Sequence, residues 1–305
     1  MDVGRDDQIK IEAVRSGVMS LRQKFLFIGP RRGGSSITFG LISRLFLRCN
    51  RPILDLVSQA AQTSGLAVDE LTRQSVTDAL EQHDLVGCFR DIPPTMFDMD
   101  LDDVKTIFLS RDPRECALSW YYARQLHPDD PSVVRDDHGL DYYIRHQDNL
   151  IDSYSNILRF SEKTETLRIK YEDLYCNPVK IFLEICAFTD TYPGRAAFDA
   201  LMIEANFVQP YPDRGAHNRL GAPQSLENII GEDLLAVLNK RYAALVTRLG
   251  YAPEGPTGAD PNAIELRREI DIMKRYILEL ATKSHIYGEE LERIGRRLAQ
   301  PSEPQ

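Results

Sequence analysis

Cysteine is scarce and shows no pairing pattern. The five residues Cys49, Cys88, Cys116, Cys176 and Cys186 are odd in number and widely spaced. No C-x-x-C pair and no histidine at ligand spacing accompanies them, which excludes a disulfide scaffold or a zinc module and reads as reduced thiols in a cytoplasmic protein. Long apolar runs are lacking as well. Nowhere do about 18 apolar residues follow one another, so no membrane-spanning helix is expected. Residues 1–24 are charged throughout and lack the apolar centre of a secretory signal. Positive charge is in deficit, with 37 Lys and Arg against 46 Asp and Glu and a formal net charge of −9. A general nucleic-acid binder needs clustered cations that displace counterions, so that class is excluded and any anion site must be built locally. There is no internal repeat and no low-complexity tract. What remains is ordinary globular material, 43% hydrophobic and 27% charged over 305 residues, enough for one large domain and an appendage.

Two short apolar runs, Lys24–Gly29 and Val104–Ser110, read as buried parallel strands, and Thr166–Lys170 is a third strand candidate. A helical pattern follows the first from about Ser35 to Arg48. After the second, a helix is expected with Asp112 as its cap and Pro113 in its first turn. Strands separated by helices predict an α/β fold, a P-loop-type parallel sheet flanked by helices, whose ligands lie outside the carboxyl ends of the strands. Residues 1–23 form a lead-in and 24–251 the α/β domain. The stretch 252–261, with Pro253, Gly255, Pro256, Gly258 and Pro261, reads as a linker. Over 262–300 the period changes. Leu266, Ile270, Met273, Ile277, Leu280, Ser284, Tyr287, Leu291, Ile294 and Leu298 follow alternating steps of four and three, the seam of a coiled-coil helix. Self-association into a homo-oligomer follows from that seam; a helix folded back on the α/β domain is the alternative.

Gly29-Pro30-Arg31-Arg32-Gly33-Gly34-Ser35-Ser36 has P-loop spacing, with Ser35 where the lysine would stand. Small residues let backbone N–H groups turn towards an anion, and the helix beginning near Ser35 presents its positive end. Arg31 and Arg32 supply side-chain cations from within the loop. A tight turn with solvated arginines would read the same way. Arg111 closes the second strand and Ser119 lies eight residues further on, on the following helix. Side chains lean towards a helix N-terminus, so Ser119 can point back to an anion reached by Arg111. The alternative pairs Arg111 with a nearby carboxylate and leaves Ser119 in solvent.

GPRRGGSSI resembles the 5′-phosphosulfate-binding loop of the sulfotransferases, and SRDPRECALSWYY their 3′-phosphate-binding segment, with the same arginine-to-serine spacing. LRIKYEDLYCNP is similar to the family's Tyr-Glu-Asp-Leu stretch, and RLGAPQSL to its C-terminal cofactor loop. The four matches run in the family's order from Lys24 to Tyr251. The resemblance implies that the chain uses 3′-phosphoadenosine 5′-phosphosulfate (PAPS), releases the 3′,5′-bisphosphate PAP, and needs no metal. It implies that Arg32, Gly34, Ser35 and Ser36 hold the 5′-phosphosulfate, with Gly33 and Arg31 in the same loop, and that Arg111 and Ser119 hold the 3′-phosphate. Tyr171 would contact the adenine, and Arg219 with Gly221 would close over the 3′ side; a core aromatic and a plain surface charge are the alternatives.

Arg32 is the expected electrostatic clamp on the leaving oxygen, standing where many members carry lysine. Phe89-Arg90-Asp91-Ile92-Pro93 resembles the segment holding the family's catalytic histidine, which places Asp91 as the base that takes the acceptor proton. Carbohydrate-modifying members tend to use a carboxylate there. An ion pair of Asp91 with Arg90 or Arg111 is the alternative. Ile37 occupies a position where several members place an aromatic against the adenine. Polar residues and Tyr142, Tyr143 and Tyr154 between the motifs suit a hydroxyl-rich acceptor such as a glycan. Two rivals are a P-loop kinase or other phosphotransferase, which would need the loop lysine and a metal-holding aspartate, and a non-catalytic coiled-coil scaffold carrying a sulfotransferase-like domain.

Overall fold

The computed structural model describes residues 23–64, 70–126, 139–146, 149–204, 226 and 230–252. Nearly all of the lead-in, most of the linker, the coiled-coil stretch, Arg219 and Gly221 lie outside the described residues. Strand β1 (Lys24–Ile28) is followed by α1 (Ser35–Arg48), β2 (Ile53–Asp55), α2 (Leu56–Ser64), α3 (Arg73–Gln82) and β3 (Leu85–Phe89). A 3₁₀ turn at Pro94–Asp98 leads to β4 (Val104–Ser110), α4 (Pro113–Leu126), α5 (Leu140–His146) and α6 (Asn149–Ser161). The described chain finishes with β5 (Thr166–Lys170), α7 (Tyr171–Cys176), α8 (Pro178–Thr189), α9 (Arg195–Glu204) and α10 (Glu232–Leu249).

The strands form one sheet in the order β2-β3-β1-β4-β5, every neighbouring pair parallel. This is the expected helix-flanked parallel sheet. Strand side chains alternate between faces, and β1 divides its core that way. Phe25 and Phe27 pack with Phe39, Ile42 and Phe46 of α1 and Phe182 and Ile185 of α8. Leu26 and Ile28 join the opposite core with Leu118 of α4, Ile157 of α6 and Leu238 and Val246 of α10. In α1, burial of Thr38, Ile42 and Leu45 with Phe39 and Phe46 follows helical spacing and turns one stripe onto the sheet.

The chain fills one side of β1 with β3 and β2, then crosses to β4 and β5 on the other. Parallel sheets bind ligands in the crevice at the strand ends where such a reversal occurs. Here that crevice receives the loop after β1, Arg90-Asp91 after β3 and Arg111-Asp112 after β4. The last of these ends is tied down from beneath. Asp112 accepts the Arg114 N–H at 2.9 Å, as a helix cap should. The wholly buried Arg114 guanidinium pairs with Asp112 and also donates to Asn239 of α10 and to the Ala252 carbonyl.

Candidate functional site

The loop between β1 and α1 is shaped by two left-handed residues, Arg32 at φ 64° and Gly34 at φ 83°. Only glycine takes that conformation freely, and Gly34 has a second reason to be glycine. A Cβ there would lie 2.4 Å from a ring carbon of Tyr171. Gly33 is equally confined, since its Cβ would fall 2.7 Å from the Pro30 ring. Gly34 caps α1 with no side-chain hydrogen bond to the helix. Gly34 thus offers no side-chain acceptor to the N–H groups of the first turn, the groups that a helix start presents to an anion.

Arg32 sits half-buried in that loop. Burial first, and then the neighbouring Arg90, hold its proton affinity below the ordinary arginine value. Arg90 donates to the Ser36 hydroxyl at 2.8 Å. Arg31 is exposed and lays its guanidinium 5.5 Å over the Trp120 ring. Three arginines around an uncapped helix start, in a chain with a net charge of −9, make the local cationic site that the composition requires. Ser35 is buried beneath the helix start while Ser36 faces out. Burial pushes the adjacent Cys88 thiol up to about 11, so it stays protonated at neutral pH.

Arg111 takes a position that sequence reasoning left open. Its Nε and Nη2 donate to Glu115 Oε2, at 2.9 and 2.8 Å, and its Nη1 donates to the Arg32 carbonyl at 3.2 Å. The guanidinium stacks 4.8 Å over the Tyr171 ring. Burial opposes its charge, but Glu115 and then Tyr171 outweigh that and hold the pKa above the ordinary value. The carboxylate partner of Arg111 is thus Glu115, one helical turn on, and the pair joins the β4 end to the phosphate loop. Tyr171 is 2% exposed and spends its ring on Gly34 and Arg111, in the manner of a core aromatic that shapes the loop from below. Ser119 is half-buried on α4.

Beneath Arg111 lies a buried polar layer. Glu172 accepts from the Asp112 N–H at 3.1 Å and from the Tyr251 hydroxyl at 2.9 Å. Burial, and after it Glu115, raises its pKa to about 7. Tyr154 donates to the Arg111 carbonyl at 2.6 Å. Tyr143 and Tyr154 are core residues, 1% and 0% exposed, so of the three tyrosines expected on the acceptor side only Tyr142, at 42%, meets solvent. It stacks on His146 with ring centroids 4.0 Å apart. Asp91, half-buried at the β3 end, accepts the Ile92 N–H at 2.9 Å. Glu115 went unread in the sequence, and Arg90 was read only as a possible ion-pair partner of Asp91. The spacing of four between Arg111 and Glu115 on a helix start was the available signal for one; for Arg90 it was its place beside Asp91 at a strand end.

With this geometry described, comparison with known proteins is decisive. Residues 22–207, more than half of the chain, match the sulfotransferase domain family. The chain belongs to the sulfotransferases. The fold agrees: mouse sulfotransferase SULT7A1, crystallised with PAP, superposes with a TM-score of 0.53 at 12% identity, covering 84% of this chain and 91% of that one. Retinol dehydratase, crystallised with androsterone and inactive cofactor PAP, gives 0.49 at 14% identity, covering 80% and 84%. No curated protein sequence matches this chain. The sulfotransferase loop has no lysine, and among the described residues no cluster of His, Cys, Asp and Glu is arranged to hold a metal ion. No described helix is long and apolar enough to cross a membrane.

Proposed function

We propose that this sulfotransferase transfers the sulfuryl group of PAPS to a hydroxyl of a carbohydrate acceptor. The observation that carries the donor assignment is the convergence of Arg32, Arg90 and the glycine-capped start of α1 on one strand-end crevice. Converging like charges at a helix N-terminus fit a polyanion. Gly33, Gly34, Ser35 and Ser36 offer N–H and hydroxyl groups to the 5′-phosphosulfate, with Arg31 at the rim. Arg111 and Ser119 would serve the 3′-phosphate; Arg111 must share its guanidinium with Glu115 to do so. Arg219 and Gly221 complete the proposed set. Tyr171 would touch the nucleotide only by its edge and act mainly through the loop.

The transfer is an in-line displacement, so the protein's task is positioning and charge stabilisation. The acceptor oxygen forms its bond to sulfur as the bridging S–O bond breaks, and the electron pair leaves on the phosphate. Arg32, a permanent cation, stabilises that oxygen without giving up a proton. Asp91, on the strand end next to the loop, takes the acceptor proton. Retinol dehydratase binds androsterone in its crystals. A sugar acceptor is supported instead by helix α5, which presents outward a Tyr142–His146 stack and an Asp141–Arg145 pair. Flat rings beside fixed charges suit hydroxyl-rich ligands.

Five free cysteines suit a reducing cytoplasmic compartment, and residues 262–300 are proposed to pair with a second copy as a coiled coil. The assay is transfer of radiolabelled sulfate from PAPS to a glycan panel. Asp91→Asn is expected to lower kcat by about 10²-fold or more while PAP binding persists. Near-normal turnover would remove Asp91 from the role of base. Transfer from a nucleoside triphosphate with Mg²⁺ instead would favour the kinase reading.

A further inference from the structure

We propose that Arg90 is a second cation of the transfer site, binding the sulfuryl oxygens of the donor alongside Arg32. The proposal rests on the PAPS reading above. Arg90 stands at the carboxyl end of β3, the strand paired with β1, one residue before Asp91. Its Nη2 lies 2.8 Å from Ser36 Oγ, in the first turn of α1. An anion held by the N–H groups of that turn comes within reach of the same guanidinium. The backbone is anchored, because Ser153 of α6 donates to the Arg90 carbonyl at 3.3 Å. The side chain is exposed, so it can reorient from Ser36 onto a ligand. Arginine offers five donors in a planar fork, and Ser36 takes one of them.

A second observation points the same way. Arg90 and Arg32 act on each other as like charges, an arrangement that costs free energy unless an anion lies against both. Their separate origins, one in the phosphate loop and one beside the base, would place the sulfuryl group between leaving oxygen and acceptor. During transfer the sulfur gains its bond to the acceptor oxygen and loses its bond to the bridging oxygen, whose electron pair stays with the phosphate. The acceptor proton goes to Asp91. The remaining sulfuryl oxygens carry negative charge throughout, and Arg90 neutralises it. The nucleotide product no longer carries those oxygens, so Arg90 contributes to turnover and not to PAP affinity.

The experiment measures kcat and donor KM, with PAP affinity by calorimetry, for wild type, Arg90→Ala and Arg90→Lys. Arg90→Ala is expected to lower kcat by about 10²-fold with PAP affinity within about threefold of wild type, and Arg90→Lys to recover about tenfold. Turnover of Arg90→Ala within about threefold of wild type would overturn the proposal. So would a parallel loss of PAP affinity and kcat, since that means that Arg90 only holds the loop. A wild-type chain that neither binds PAP nor transfers sulfate would instead refute the donor reading, whatever the variants do.

Discussion

Replacing Glu172 by glutamine will change the pH dependence of stability in a defined direction. Glu172 is 3% exposed and lies near Glu115, and these two causes, burial first, raise its pKa from 4.5 to about 7. The folded protein then keeps the proton up to about pH 7, while the unfolded chain releases it near 4.5. Between those values unfolding releases a proton, so stability falls as pH rises, and above pH 7 the whole deficit remains. At about 1.4 kcal/mol per pH unit, the deficit approaches about 3 kcal/mol. Glutamine keeps the shape, can accept from the Asp112 N–H and can donate to the Tyr251 oxygen, and never ionises. Urea unfolding of both proteins from pH 4.5 to pH 8 gives the difference directly. Glu172→Gln is expected to gain about 2–3 kcal/mol on wild type across that range, whatever the offset at pH 4.5. A difference constant to within about 0.5 kcal/mol, or one that moves against the mutant, would refute the assignment of a desolvated carboxyl beneath Arg111.

Two further predictions concern the loop and the oligomer. Gly34→Ala places a Cβ 2.4 Å from the Tyr171 ring at φ 83°, and is expected to lower stability by about 2 kcal/mol or more in thermal melts; Gly34→Ala, Tyr171→Leu should recover part of it, and an unchanged melting temperature would contradict the packing described. Ending the chain at residue 261 is expected to convert an oligomer to a monomer in sedimentation equilibrium with PAP binding retained; an unchanged mass would assign the heptad seam to an intramolecular role.

The parts of this fold that could be read from sequence are those whose cause is local. Strands β1 and β4 are apolar runs ending in turn chemistry, and the start of α4 follows from Asp112-Pro113; β5 is more polar and buries only Ile169 of its five residues. Strand β2 has only three residues, Ile53–Asp55, too few for any period to register. Strand β3 was noticed for its end at Arg90-Asp91 more than for its run, because Gly87 interrupts it. In the site, Gly33, Gly34 and Ser35 were legible because backbone shape demands small residues there. The partner of Arg111 was not, since Asp112, Glu115 and Glu172 all lie close in sequence or fold, and only the helix geometry selects Glu115. The fate of Tyr171 depended likewise on β5 delivering its ring under Gly34, a contact between residues far apart in the chain. The tyrosines of α5 and α6 misled because composition does not say which face of a helix is buried; Tyr143 and Tyr154 are on the inner one.

The most direct test of the account is calorimetric binding of PAP against adenosine 5′-diphosphate to wild type and to Arg111→Ala. The account predicts that wild type binds PAP tightly and the diphosphate weakly, and that Arg111→Ala loses most of this preference. Equal affinity for the two nucleotides, or no binding of either, would contradict the assignment of a 3′-phosphorylated sulfuryl donor.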